Sequence, residues 1–183
     1  MYMLTVGHYN PAVDIASMLR LYEGKRITPF LEVFNAVRDA PASAVGELLE
    51  LAASDEMALQ VGATWVLRHL AESGVVLYGP QAEKLLHLLS QPLAPGALLH
   101  VLQTLPHIEV EQAQQGALQS VLLALIKSRR AFIRAWAYNG LGILAARDPS
   151  LRHEIFNLFD QAARSETAAV KARIRHARSA IPD

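Results

Sequence analysis

A segment that recurs at a fixed spacing is the strongest constraint this chain carries. In FIRAWAYNGLGILA, the apolar positions Ile133, Ala137, Leu141 and Leu144 match Leu59, Ala63, Leu67 and Leu70 at a constant offset of 74 residues. Half that offset, 37 residues, carries Ile133 and Ala137 onto Val170 and Ile174. A weaker copy, Ala97, Val101 and Leu105, lies between. Each series follows the one-face spacing of an α-helix, with a small residue where a neighbouring helix must come close. A short leucine-rich stretch precedes each of them: AVGELLELAA, QAEKLLHLLS, LQSVLLALIK and LRHEIFNLFD. One helix pair cannot bury both of its faces, whereas stacked pairs share a continuous core.

Local punctuation agrees with an all-α chain. Asn10-Pro11 and Thr28-Pro29 each set a capping side chain before a proline at a first helical position, and Ser43, Ser54 or Asp55, and Ser150 read as further N-caps. Gly24, Gly74, Gly79 and Asp148-Pro149 stand where helices should stop. The pattern predicts helices over 11–22, 28–39, 43–53, 55–73, 80–90, 94–105, 110–127, 130–146, 150–164 and 166–180. Short turns between them predict antiparallel neighbours. The only strand candidate, VVLY at 75–78, is too short to decide. At 183 residues the chain fits one domain, with pairs at about 11–39, 43–73, 80–105, 110–146 and 150–180 after an N-terminal extension, 1–10.

A leucine-rich helix, a tight polar turn, a hydrophobic residue followed by a basic one, then Ala and Leu at helical spacing resembles the HEAT repeat. The pattern stands here as SRRAFIRAWAYNGLGILA and SETAAVKARIRHARSA, and as SDEMALQVGATWVLRHLA with Gln60 in place of the basic residue. The resemblance covers residues 43 to 181, with 11 to 39 as a divergent first repeat. It is weakest at 80–105, where SQPLAPG replaces the usual turn. It implies an all-α, right-handed α-solenoid of about five antiparallel helix pairs, whose second helices line the concave side. It also makes Arg134 the family's basic position, hydrogen-bonding along the stack.

Catalytic signals are thin. The chain has no cysteine, which removes disulfides, thiolate metal sites and cysteine nucleophiles. HEIFN at 153–157 begins like a helical zinc motif, but Asn157 stands where the second histidine must be. GLG at 140–142 lies within a helix, where close packing explains Gly140 better than a dinucleotide loop. The seven histidines form no helical pair, and His8, His87 and His107 read as exposed or turn residues. No metal or cofactor is therefore expected. No apolar run reaches a membrane span of about 18 residues. The opening MYMLTVGHYN lacks the basic and apolar regions of a secretory signal, so a cytoplasmic protein is expected.

One constellation points to binding. Counting three, six and ten residues past the first anchor of each second helix gives a stripe roughly opposite the core. It reads Gly62, Trp65, His69; His100, Gln103, His107; Trp136, Asn139, Ile143; and Arg173, His176, Ala180. Large amphipathic rings and arginines concentrate binding energy. Arg130 and Arg134 border the stripe in a basic cluster with Lys127, Arg129, Lys171, Arg175 and Arg178.

The charge is uneven. Residues 1–110 hold six Lys/Arg against eleven Asp/Glu, a balance of −5, and residues 111–183 hold eleven against six, a balance of +5. The expected function is a non-catalytic module presenting this Trp/His/Arg-lined surface to a protein or peptide, with an acidic partner favoured by charge. The alternative is nucleic-acid binding. In outline the chain is similar to the alkylation-repair DNA glycosylases built from HEAT-like repeats, whose cleft carries Trp, Arg and a catalytic Asp. Here Trp65 and Trp136 would take the aromatic role, and Arg134 or Arg173 the phosphate role. The chain departs from that pattern in its Asp: Asp148 falls at a turn and Asp160 on a first helix, and 183 residues is short for that family. A charge balance of zero also argues against a dedicated nucleic-acid binder.

Overall fold

The computed structural model describes residues 13–182, and these fold into ten α-helices joined by short turns. They are α1 (Ile15–Arg20), α2 (Thr28–Val37), α3 (Pro41–Ala52), α4 (Met57–Glu72), α5 (Pro80–Leu88), α6 (Pro95–Thr104), α7 (Gln112–Leu125), α8 (Ala131–Arg147), α9 (Arg152–Ser165) and α10 (Ala168–Ser179). Single 3-10 turns follow α6 at Leu105–His107 and precede α9 at Pro149–Leu151. The expected N-cap at Asn10, the extension 1–10 and His8 lie outside the described residues.

Several caps differ from expectation. Asp14 caps α1 by accepting from the Ser17 N–H, because residues 13 and 14 are not yet helical. Thr28 lies inside α2, with Ile27 before it. Ser43 lies inside α3 and donates its hydroxyl to the Ala40 carbonyl. Ser54 sits just ahead of α4, accepting from the Glu56 N–H. Asp148 caps the 3-10 turn ahead of α9, accepting from both the N–H and the hydroxyl of Ser150, and α9 itself follows Leu151 with no side-chain cap. In each case a neighbouring backbone donor or proline sets the start, and a cap residue in sequence marks it only to within a turn. Gly24, Gly74 and Gly79 do have positive φ, a conformation that glycine takes without a Cβ clash.

No strand forms among the described residues. VVLY contributes one isolated bridge, Leu77 to Ile108, closed by the Glu109 N–H on the Leu77 carbonyl at 3.1 Å. Arg147 donates to the Ile108 carbonyl at 2.8 Å and ties this crossing to the end of α8.

Among the even-numbered helices α4 packs on α2 and α6, and α8 on α6 and α10. The odd-numbered helices lie against them: α3 on α4, α7 on α8, and α9 on both α8 and α10. The repeat anchors Leu59, Ala63, Leu67, Leu70, Ile133, Ala137, Leu141 and Leu144 are all buried, as are Ala97, Val101, Leu105, Val170 and Ile174. Where helices cross most closely the sequence supplies glycine. A Cβ on Gly140 would stand 2.9 Å from Leu122, and one on Gly142 would stand 2.9 Å from the Ala177 Cβ.

Two equivalent positions, 74 residues apart, tie each second helix to the next turn along the chain. Arg134 forks onto Glu166 with bonds of 2.7 and 2.8 Å, and its third donor reaches the Ser128 carbonyl. Gln60, at the matching place in α4, accepts the Ala94 N–H at 2.8 Å. That bond holds the SQPLAPG turn, the one that departs most from the repeat pattern.

Candidate functional site

The ten expected site residues fall into three environments. Trp65 does not line an open face. It is 8% exposed, in a cluster with Phe30 at 6.0 Å and Phe34 at 6.5 Å between ring centroids, and His69 stacks on it at 3.6 Å. The physical reason lies in Gly62, one turn earlier. Leu19 and Phe30 fill the space a side chain would need there, so α1 and α2 cover this side of α4. His69 is fixed further by its Nδ1, which donates to the Trp65 carbonyl at 2.8 Å.

On α6, His100 and Gln103 are partly buried. His100 Nδ1 lies 3.2 Å from the Thr64 hydroxyl, which in turn donates to the Gln60 carbonyl at 2.7 Å. Burial, with Arg68 and His69 adding positive charge, pushes the His100 pKa down to about 4, so the ring is neutral at physiological pH. Neutral imidazole with the proton on Nδ1 completes that relay. Gln103 keeps its Oε1 buried without a hydrogen-bond partner. Thr64 and Glu166 are the two residues here that sequence reasoning missed. Neither is marked in the sequence: the offset that pairs Gln60 with Arg134 carries Gln60's partner Ala94 to Ala168, not to Glu166, and a buried hydroxyl on a helix leaves no pattern.

The remaining residues gather along α8 and α10. Trp136 is partly exposed, and the guanidinium carbon of Arg173 lies 4.1 Å from its ring centroid. One turn on, Asn139 is buried while His176 is exposed. Both line a cavity of about 320 Å³ floored by Gly142, Ile143 and Ala177. Tyr138 is not at the edge of this groove, as its neighbours in sequence would place it. Two residues from Trp136 it turns about 200° around the helix, is buried, and meets Phe159 of α9 edge-on at 6.2 Å.

The basic residues divide sharply. Arg134 is spent within the fold: Glu166 bonds hold its charge in place, and the same bonds hold the Glu166 carboxyl below the usual range. Arg130, by contrast, is exposed at the N-cap of α8, with no ion pair among the described residues. Among the described residues no group of three or more His, Asp or Glu side chains comes together as a metal cluster. At HEIFN, Asn157 and His153 face each other at 3.2 Å, one helical turn apart. No helix among the described residues is long and apolar enough to cross a membrane. No protein-family model matches the chain, nor does any curated protein or solved structure.

Proposed function

We propose that this protein is a non-catalytic binding module, a short right-handed solenoid of HEAT-like helix pairs whose α8–α10 side takes a protein or peptide partner. The observation that carries this reading is Trp136, a large ring left partly open to water one helical turn before the cavity-lining Asn139, beneath an arginine that has no ion pair among the described residues. An amphipathic ring left partly open beside an arginine is the kind of feature a partner covers. The order of packing α2, α4, α6, α8, α10 and the bonds made by Gln60 and Arg134 support the repeat reading. Arg134 then belongs to the stack, and Trp65 to the core. The binding residues reduce to Trp136, Asn139, Arg173 and His176, with Arg130 at the rim.

Capture of partners from source cells with wild-type protein and with Trp136→Ala tests this, run beside an unfolding titration of both. A partner lost in the variant, with only a small loss of stability, is the expected result. Equal recovery by both proteins removes Trp136 from the site.

A second reading, nucleic-acid binding, draws on the unpaired cations at the start of α8. A glycosylase in particular is poorly supported, since Asp148 is occupied by Ser150 and Asp160 by Arg178. A mobility-shift titration at two salt concentrations decides it, because phosphate contacts give a steep salt dependence.

A further inference from the structure

We propose that Arg173, laid on the ring of Trp136, is a carboxylate-recognition group, and that the partner segment it takes is an acidic peptide crossing the first turns of α8 and α10. The inference rests on the binding-module reading and gives its partner a chemistry.

Stacking on an indole fixes the plane of a guanidinium and leaves its N–H edge free, in the fork geometry that matches a carboxylate. The guanidinium carbon of Arg173 lies over the Trp136 ring, 4.1 Å from its centroid. Among the described residues Arg173 makes no hydrogen bond or ion pair, and it is only partly exposed. A partly buried cation with unused donors is a site short of its anion.

Among the described residues, no carboxylate of this half pairs with Arg173. In this half of the molecule Glu166 is taken by Arg134, Asp160 by Arg178, Glu154 by Gln119 and Asp148 by Ser150. The cations Lys127, Arg129, Arg130 and Arg175 have no such partners among the described residues. The first three lead directly into α8, whose first turn carries no acidic residue and no side-chain cap. Helix N-termini are already positive, so three cations there are locally unfavourable, and an external carboxylate relieves the repulsion. The Arg134–Glu166 pair ties the first turn of α8 to the residue just before α10, which brings the two basic starts to one end of the molecule.

Peptide is favoured over nucleic acid for two reasons. Arg173 already occupies a face of Trp136, so no base can stack on that face. And the other half of the chain, at six cations against eleven anions, repels a polyanion longer than the patch.

The test uses the full chain and fluorescence anisotropy with three labelled probes: a short Glu/Asp-rich peptide, its Gln/Asn counterpart, and a short oligothymidylate. The acidic peptide should bind best. Arg173→Lys keeps the charge but loses the fork, and should weaken that binding about tenfold. Arg175→Gln, which removes an exposed charge from the same helix, should weaken it about twofold at most. Thermal unfolding of both variants checks that the fold is intact. Equal weakening by the two variants, or none by Arg173→Lys, means diffuse charge and overturns the proposal, as does tighter binding of the oligothymidylate. If the acidic peptide fails while cellular partners are still captured in a Trp136-dependent way, the binding module stands and its acidic specificity falls. If neither binds, both fall.

Discussion

Trp65 and Trp136 sit on helices that share their buried anchors at the same offset, yet one ring is closed in and the other is open. The register explains the difference. Trp136 occupies the place that Gly62 holds in α4, and Trp65 the place that Asn139 holds in α8. In α4 the missing side chain lets Leu19 and Phe30 come in to within 2.7 Å of where a Cβ would be, and these residues then roof the aromatic cluster. In α8 the tryptophan itself stands at that place, and a single arginine lies over it. The two helices therefore share their buried anchors, while the side beyond them is set by whatever the neighbouring helices bring. At the first end that is apolar bulk, and at the second it is charge.

Truncation gives the widest separation. Trp65→Ala should lose roughly 3–5 kcal/mol of stability, as removal of a buried ring does. Trp136→Ala should lose less, about 1–2 kcal/mol, since its ring is only partly buried against the core and carries one cation–π contact. Urea unfolding of the two variants checks this, and equal losses would erase the distinction between the ends.

Acid should strain the first end before the second. The His100 pKa is held down to about 4 in the folded chain, against 6.5 when unfolded. The unfolded state therefore takes up the proton first. This group's contribution is complete above pH 6.5 and is lost as the pH falls towards 4, by at most roughly 3 kcal/mol. Stability measured across that window should fall in the wild type and flatten in His100→Gln. A flat wild-type profile would show that His100 is more solvated than its Thr64 contact implies. At the second end Glu166 is held below its ordinary range, so its contribution is complete above that range and is lost as the pH falls through and below it.

Glu166→Gln tests that second end directly. Leaving the Arg134 guanidinium without its carboxylate should cost about 2 kcal/mol, between the values for exposed and fully buried pairs. Chemical denaturation reads it, and a neutral result would mean that Arg134 finds water as readily as it found Glu166.

The smallest difference is expected where the two ends are alike. Ala63 and Ala137 are both fully buried at equivalent anchors. Ala→Leu at either should overpack the core by roughly 1–3 kcal/mol, with the two losses matching to within about 0.5 kcal/mol. Unchanged midpoints, or a large asymmetry, would undo the register on which the comparison stands.

The helices and their core were legible because one-dimensional periodicity and local stop signals are enough to write them. Ile133, Ala137, Leu141 and Leu144 form a buried row whatever lies beyond, since helical spacing alone puts them on one face. The candidate site was less legible. Counting residues around a helix shows which side chains leave the core side, but not whether another helix waits there. By that count Trp65 and Trp136 are the same kind of residue. Contacts from α1, α2 and the turn before α10, distant in sequence, make Trp65 core and Arg134 a structural tie.

From its sequence alone this protein is an all-helical chain, with its apolar rows, its turns and a positive balance after residue 110. Those properties follow from each residue and its near neighbours. Which ring stays open, which arginine lacks an anion and which histidine is held neutral were decided by tertiary packing. Exposure and pKa depend on what surrounds a group in space, and partners such as Arg134 and Glu166, or Trp136 and Arg173, meet only when α8 and α10 do.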